Sequence, residues 1–350
     1  MKIKQTNSTT KENRYSTIVI TNLPSFYKVN LYNLINDKKR IFVIFTGDTA
    51  SIRNKDFFGD NIKFDYIRLE DFSVSQKLIK VYKLIKTFTY NELIICGVNE
   101  LTSWLCAFVS PKNKNATVVE SSYHESTVTG IKGWLKRLFF TRISVTYASG
   151  KAQQKLACLH HFKGKIIITK GVGIFNIIKQ PPFRPSEKVT NFIYVGRLSP
   201  EKNLNFIIKA FNQLPQYTLN IVGFGPQESE LKTIAKENII FHGAIDNQKL
   251  PQFYQLNDVF ILPSIKEPWG LVVEEALNNG LPVLVSNKVG CAEEIIEENQ
   301  NGLIFEYNSE KSLCEKIEKI TDITYYNTLK SNISRMDFNK IADYQVNCYL

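Results

Sequence analysis

Two carboxylates, Glu267 and Glu275, stand with seven residues between them in the stretch Ser264-Ile265-Lys266-Glu267-Pro268-Trp269-Gly270-Leu271-Val272-Val273-Glu274-Glu275-Ala276. The apolar run at 258–263 reads as a short buried strand, and 271–279 reads as a helix closed by Gly280. Glu267 then falls in the turn and Glu275 in the helix. A carboxylate at the C-terminal end of a strand, beside a helix start whose free N–H groups attract anions, suits a polar, phosphate-bearing ligand. Taken without its neighbours, Glu267 reads first as a solvated turn residue and Glu275 as part of an acidic helix face. The frame around the pair carries the functional reading.

Two cations have a comparable setting. Arg197 and Lys202, in Gly196-Arg197-Leu198-Ser199-Pro200-Glu201-Lys202-Asn203, follow a strand at 191–196 and precede a helix at 203–214. Five residues apart at such a switch, they can grip a diphosphate, where negative charge grows on a leaving group. Without company the pair reads as ordinary surface charge. Gly223 and Gly225, in Gly223-Phe224-Gly225-Pro226, form a further strand-to-helix turn in which the backbone can approach a ligand, with Pro226 suited to the first helical position. A plain tight turn is the other reading.

The elements that must position these residues alternate along the chain. Strands are expected at 16–21, 41–46, 92–96, 116–120, 143–147 and 165–169, with helices at 26–36 (capped by Ser25), 73–88 and 101–109 between them. A Pro-rich stretch of little periodicity, 173–189, marks a domain boundary. Beyond it, strands at 191–196, 218–223, 239–241, 258–262, 282–286 and 303–306 alternate with helices at 203–214, 226–236, 248–256, 271–279 and 292–298, and a last helix begins near Asp337. Such alternation implies parallel sheets covered by helices on both faces, with ligands at the C-terminal strand ends. Glu120 lies at one such end, followed by His124 in a loop that reads either as lining a site or as a polar loop with a hydrogen-bonded histidine.

The frame Ser-x-x-Glu-Pro-Trp-Gly-Leu-Val-x-x-Glu-Ala resembles the signature of retaining sugar-nucleotide glycosyltransferases of family 4 (glycosyl transferases group 1), and Gly196 to Lys202 is similar to that family's Gly-Arg-Leu-x-x-x-Lys element. The stretch 22–33 resembles a bacterial subset that builds surface polysaccharides. The resemblance implies an α/β chain of GT-B fold, with two Rossmann-like doubly wound domains facing each other across a cleft. It assigns 1–14 to a tail, 15–172 to an acceptor-binding domain, 173–189 to a linker, 190–336 to a donor-binding domain and 337–350 to a helix crossing back to the first domain. It makes Glu267 the catalytic residue near the donor sugar. Arg197 and Lys202 become diphosphate ligands and Glu275 the ribose ligand, with Gly223, Gly225, Trp269, Gly270 and Leu271 lining the donor pocket and Glu120 or His124 on the acceptor side. The implied reaction moves a sugar, with retention, from a UDP- or GDP-linked donor to a carbohydrate or lipid-linked acceptor. No cofactor or metal is expected, because the two cations serve the leaving group and no D-x-D cluster is present. A non-catalytic two-domain protein that clamps a nucleotide or glycan is the rival reading.

Composition narrows the partners. Residues 1–170 hold 27 Lys and Arg against 12 Asp and Glu, a net +15, whereas 171–350 hold 17 against 21, a net −4. One basic half disfavours a nucleic-acid surface over the whole chain and fits an anionic membrane surface or acceptor. The segment 131–142 combines Lys132, Lys136, Arg137 and Arg142 with Ile131, Trp134 and Leu138, and reads either as an interfacial helix or as a core helix with a basic edge. The polar N-terminus and the lack of a spanning apolar run predict a cytoplasmic protein, peripheral on the inner face of the plasma membrane at most. Six scattered cysteines without a C-x-x-C pair predict free, buried thiols.

Overall fold

The computed structural model describes residues 13–47, 57–59, 61–123 and 125–350, with the side chains of 297–299 left aside. His124 lies outside the described residues, as does most of the stretch read as a tail. The chain divides into two compact units, Met1–Ile174 with Lys340–Leu350, and Phe175–Asn339.

The first unit is built on β1 (Arg14–Thr21), α1 (Phe26–Lys38), β2 (Ile41–Phe45), β3 (Asp65–Arg68), α2 (Val74–Thr87), β4 (Thr89–Cys96), α3 (Leu101–Val109), β5 (Asn115–Val119), α4 (Gly130–Phe140), β6 (Val145–Ala148), α5 (Lys151–Leu159) and β7 (Lys165–Ile168). Its seven strands are parallel in the order β3-β2-β1-β4-β5-β6-β7. β2, Ile-Phe-Val-Ile-Phe, is buried at all five positions, as a strand covered on both faces must be. The order reverses between β1 and β4, which sets the ligand-binding crevice of such a sheet beside their C-terminal ends.

The second unit comprises β8 (Asn191–Val195), α6 (Leu204–Phe211), β9 (Thr218–Val222), α7 (Glu228–Ile234), β10 (Ile239–Gly243), α8 (Leu250–Gln255), β11 (Val259–Leu262), α9 (Leu271–Asn278), β12 (Val283–Ser286), α10 (Ala292–Asn299), β13 (Gly302–Phe305), α11 (Glu310–Thr321) and α12 (Ile323–Ile333). Its six strands are also parallel, in the order β10-β9-β8-β11-β12-β13, and the reversal falls between β8 and β11. The chain returns to the first unit within the final helix, α13 (Phe338–Cys348), which belongs to that unit from Lys340 onward. There Tyr349 stacks on Tyr147 at 4.4 Å between ring centroids, and the Tyr344 hydroxyl donates to the Ile168 carbonyl at 3.1 Å.

Several local expectations change. β3 and α5 are additional elements. Ser25 occupies the N-cap of α1, yet its hydroxyl caps nothing; the full capping box belongs to α2, through Ser73 and Gln76. Pro226 sits in a turn and α7 starts two residues later. α6 starts at Leu204 because Asn203 takes a left-handed conformation, φ +58°, with its side-chain amide on the Tyr307 carbonyl. Of the six thiols, Cys158 is exposed while Cys106 and Cys291 are buried. The Pro-rich stretch is not loose. Ile178 exchanges two hydrogen bonds with the Asn278 side chain, and Ser186 two with that of Asn327, so from Phe175 onward it is laced to the second unit. Among the described residues no helix is long and apolar enough to cross a membrane.

Candidate active site

The chemistry-bearing residues of the second unit converge on its reversal point. β11 is fully buried and delivers the chain to Ser264 at its C-terminal end. Ile265 then donates its N–H to the Glu201 carbonyl at 2.9 Å, which ties the loop after β11 to the loop after β8. On its other side Glu267 forms a parallel bridge with Val289, its carbonyl accepting from Gly290 at 2.9 Å while that of Trp269 accepts from Cys291 at 2.9 Å. The turn holding Glu267 is therefore clamped from both sides. Gly270 caps α9 at φ +100°, and a Cβ there would press on Val289 at 3.0 Å.

The Lys202 ammonium and the Glu267 carboxylate form a direct ion pair, and Ser264 Oγ reaches the same carboxylate oxygen at 3.4 Å. Arg197 points more outward. Its guanidinium meets Glu201 at 3.3 Å with 57% of the side chain exposed, and Glu201 also accepts from Ser199 Oγ at 2.6 Å. Burial pushes the Glu201 carboxyl up, but the Ser199 hydrogen bond and the nearby Arg197 and Lys202 outweigh it and hold the group below its usual range. Beneath them lies Tyr194, wholly buried and within electrostatic reach of Glu267, Glu201 and Arg197; its hydroxyl donates to the Arg197 carbonyl at 2.8 Å.

The glycine turn owes its composition to close backbone packing. At Gly223, φ +135°, a Cβ would lie 1.8 Å from the Gly196 carbonyl oxygen; at Gly225 it would lie 2.4 Å from that of Leu198. The loops after β8, β9 and β10 thus nest together, Leu198 donating to Phe224 at 2.9 Å and Gly223 to Gly243 at 2.7 Å. No larger residue fits Gly223.

On α9 the two neighbouring acids have separate duties. Glu275 is half-buried against Tyr254, whose hydroxyl donates to it at 3.4 Å, and burial pushes its carboxyl up to about 7. Glu274 is buried, and the Trp269 indole N–H donates to it at 2.8 Å. Burial pushes the Glu274 carboxyl up to about 8 even though that bond favours the charged form. Trp269 itself is only 2% exposed, so its ring belongs to the core under α9 and its one polar group is committed. Leu271, the first residue of α9, is half-buried.

The structure thus joins Lys202 to Glu267 directly and sets Arg197 beside them through Glu201. Glu120 belongs to the first unit, where its carboxylate meets the Lys28 ammonium at 2.9 Å. Sequence reading missed Glu201, Ser264, Tyr194 and Glu274. Glu201 and Ser264 flank the motif residues and could have been found from the short loops holding them; the Glu274–Trp269 bond joins the first turn of α9 to the residue just before its cap, a pairing the five-residue spacing alone does not announce.

Comparison with known proteins agrees with this geometry. The family described as Glycosyl transferases group 1 matches residues 176–336. The O-antigen biosynthesis glycosyltransferase WbnH of Escherichia coli is 27% identical over 313 residues, covering 83% of this chain and 84% of that protein. A UDP-Gal:alpha-D-GlcNAc-diphosphoundecaprenol alpha-1,3-galactosyltransferase of Escherichia coli is 25% identical over 292 residues, 73% of each. Among solved structures, Anabaena HepE in complex with UDP superposes with a TM-score of 0.68 at 18% identity, covering 94% of this chain and 97% of that one, and shares the two-Rossmann GT-B fold. Through its second unit, where the family match coincides with Arg197, Lys202, Glu267 and Glu275, the chain is similar to the group 1 glycosyltransferases.

Proposed function

We propose that this enzyme transfers a sugar, with retention of anomeric configuration, from a nucleoside-diphosphate donor to a glycan or lipid-linked acceptor in the making of a bacterial surface polysaccharide. The observation that supports it most is the Lys202–Glu267 ion pair, held at the reversal point of the donor-side sheet with Arg197 two side chains away. In the reaction the bond from the anomeric carbon to the diphosphate breaks and the acceptor oxygen bonds that carbon on the same face. The acceptor proton leaves with the diphosphate. Arg197 and Lys202 neutralise that departing charge, a task that needs no metal, while Glu267 orients the sugar and stabilises positive charge at its anomeric carbon. Glu275 takes the ribose hydroxyls. The UDP-linked donor of the galactosyltransferase relative makes UDP the first base to test and GDP the second.

The acceptor falls to the first unit, which also carries a surface suited to an anionic membrane. On α4, Ile131 and Trp134 are 79% and 60% exposed, and Lys132, Lys136 and Arg137 share the helix. At roughly 1 kcal/mol per basic residue near an anionic leaflet, α4 gives reversible attachment to the inner face of the plasma membrane.

A panel of UDP- and GDP-sugars incubated with wild type and Glu267→Gln tests the reading, with nucleoside diphosphate release and thermal shift scored together. One donor stabilises both proteins, and only the wild type hydrolyses it slowly; NMR of the transferred sugar then gives the anomeric configuration. If no nucleotide sugar shifts the melting temperature, the donor site is wrongly assigned.

A further inference from the structure

A buried side-chain bond joins the turn that carries Glu267 to α9. Trp269 precedes the Gly270 cap, Glu274 lies in the first turn of the helix, and the Trp269 indole N–H donates to Glu274 Oε2 at 2.8 Å. The two residues are 2% and 3% exposed, so the indole N–H has no water to turn to if the carboxyl is removed. The other ties of this turn lead elsewhere. The carbonyls of Glu267 and Trp269 accept from Gly290 and Cys291, both at 2.9 Å, and anchor the turn to the loop after β12. The indole bond anchors it to α9.

That helix carries Glu275 at the very next position. Consecutive helical residues point about 100° apart, so the two acids face different neighbours. Glu274 looks to the turn that holds Glu267, and Glu275 looks to Tyr254 of α8, whose hydroxyl donates to it at 3.4 Å. The Glu274–Trp269 bond therefore connects the segment bearing Glu267 with the segment bearing Glu275.

The surroundings favour a neutral carboxyl for that task. α9 lies on β11 and β12, whose side chains are apolar except for Ser286. α8 brings Tyr254 to Glu275, and the turn brings Glu267 with its partner Lys202. Cys291, at the start of α10, is within electrostatic reach of Glu274, Glu267 and Glu294 together. Burial, and to a smaller extent the charge of Glu275, push the Glu274 carboxyl up to about 8, so at neutral pH it accepts from the indole without setting another negative charge beside Glu275.

We infer that Glu274 is a positioning residue for sugar transfer: through Trp269 it holds the turn of Glu267 in register with α9, and so sets the separation between Glu267 at the sugar and Glu275 at the ribose. The inference rests on the proposed transferase reading for the roles of those two glutamates, and on the buried bond for their coupling. Breaking the bond leaves Arg197, Lys202 and Glu275 to grip the nucleotide while the sugar sits out of line. The loss then falls on turnover and spares nucleotide affinity.

The full chain and its variants are given UDP-galactose, UDP-glucose, UDP-N-acetylglucosamine and GDP-mannose, with release of nucleoside diphosphate giving kcat. Titration with UDP and GDP gives Kd and the binding-competent fraction. Glu274→Leu lowers kcat about tenfold or more while the diphosphate Kd stays within about threefold. Glu274→Gln, whose amide oxygen still accepts from Trp269, keeps kcat at pH 7 within about threefold of wild type. Trp269→Phe keeps an aromatic ring and loses the N–H; it falls as far as Glu274→Leu, and the double variant falls no further. Wild-type kcat declines above about pH 8, where Glu274 ionises among other acids, and the Glu274→Gln profile lacks that decline. If Glu274→Leu fails to fold, Trp269→Phe and the Glu274→Gln profile decide. Unchanged kcat in the Leu and Phe variants, losses that multiply in the double variant, a Kd that worsens as much as kcat, a Gln variant as slow as Leu, or a Gln profile that keeps the alkaline decline overturns the inference alone. Failure of the wild type to release diphosphate from any of the four donors overturns it together with the transferase reading.

Discussion

Replacing Lys202 by Met should destabilise the second unit, and replacing Glu267 as well should restore most of the loss. The two side chains are 15% and 12% exposed, so their ion pair is largely withdrawn from water. Without the ammonium, the Glu267 carboxylate keeps, among the described residues, the Ser264 hydroxyl at 3.4 Å. Breaking a fully buried pair costs about 3–5 kcal/mol, and the residual exposure brings this down to about 2–3 kcal/mol. Glu267→Gln alone, which leaves Lys202 an amide oxygen, should cost about 1–2 kcal/mol. The double variant removes both charges and should cost about 1 kcal/mol, giving a coupling of roughly 2–4 kcal/mol. The protein offers a local reporter: of its three tryptophans, Trp104 and Trp134 lie in the first unit and Trp269 in the second, buried under α9. In a Trp104→Phe/Trp134→Phe background, urea unfolding followed by fluorescence reads the second unit alone. At about 1–3 kcal/mol per molar urea, Lys202→Met should move the midpoint by roughly 1 M. A saturating nucleoside diphosphate, at a hundred times its Kd, should add about 2.7 kcal/mol to the wild type and almost nothing to Lys202→Met. Costs that simply add within about 0.5 kcal/mol would refute the reasoning, since the pair would then contribute no coupling.

Arg197→Ala should lower turnover at least a hundredfold, by loss of about 2.7–4 kcal/mol of charge stabilisation, while the exposed side chain leaves stability within about 0.5 kcal/mol; a mutant that turns over normally removes Arg197 from the leaving-group site. Glu274 and Glu275 have folded pKa values of about 8 and about 7, above the ordinary carboxyl value of 4.5, so their contribution to stability is complete below about pH 4.5 and is lost as pH rises through those values. Melting temperatures measured from pH 5 to pH 9 should therefore fall for the wild type, and less steeply for Glu274→Gln, which still accepts from Trp269; parallel curves would show that Glu274 is ionised in the folded state. Gly223→Ala should cost about 2 kcal/mol or more, because its Cβ meets the Gly196 carbonyl at a left-handed φ, and calorimetry showing an unchanged melting temperature would contradict that packing.

The second sheet and the turn holding Glu267 could be read from the sequence because local pattern and tertiary setting agree there. β11 is apolar throughout, Gly270 marks a backbone position that a side chain disfavours, and the α9 face repeats at helical spacing. β3 escaped because its four residues, Asp-Tyr-Ile-Arg, look like a polar connection. Asp65 is buried only because Arg40 pairs with it at 2.9 Å and Tyr15 donates to it at 3.2 Å, partners 25 and 50 residues away. Lys28 sits on a helix that alternates polar and apolar residues, and nothing nearby announces that Glu120 will neutralise it in the interior.

The last eleven residues belong to the first unit, where Tyr349 lies against Tyr147 and Tyr344 bonds the end of β7. Domains generally fold as they leave the ribosome, the earlier one first. Here the earlier one cannot be completed until residues 340–350, which follow the whole second unit, have been made. A chain halted anywhere in the second unit leaves Tyr147 and the β7 edge uncovered, an apolar flag on an unfinished product. The first unit is thus closed only after the whole of the second has been made, whatever the order in which their sheets form.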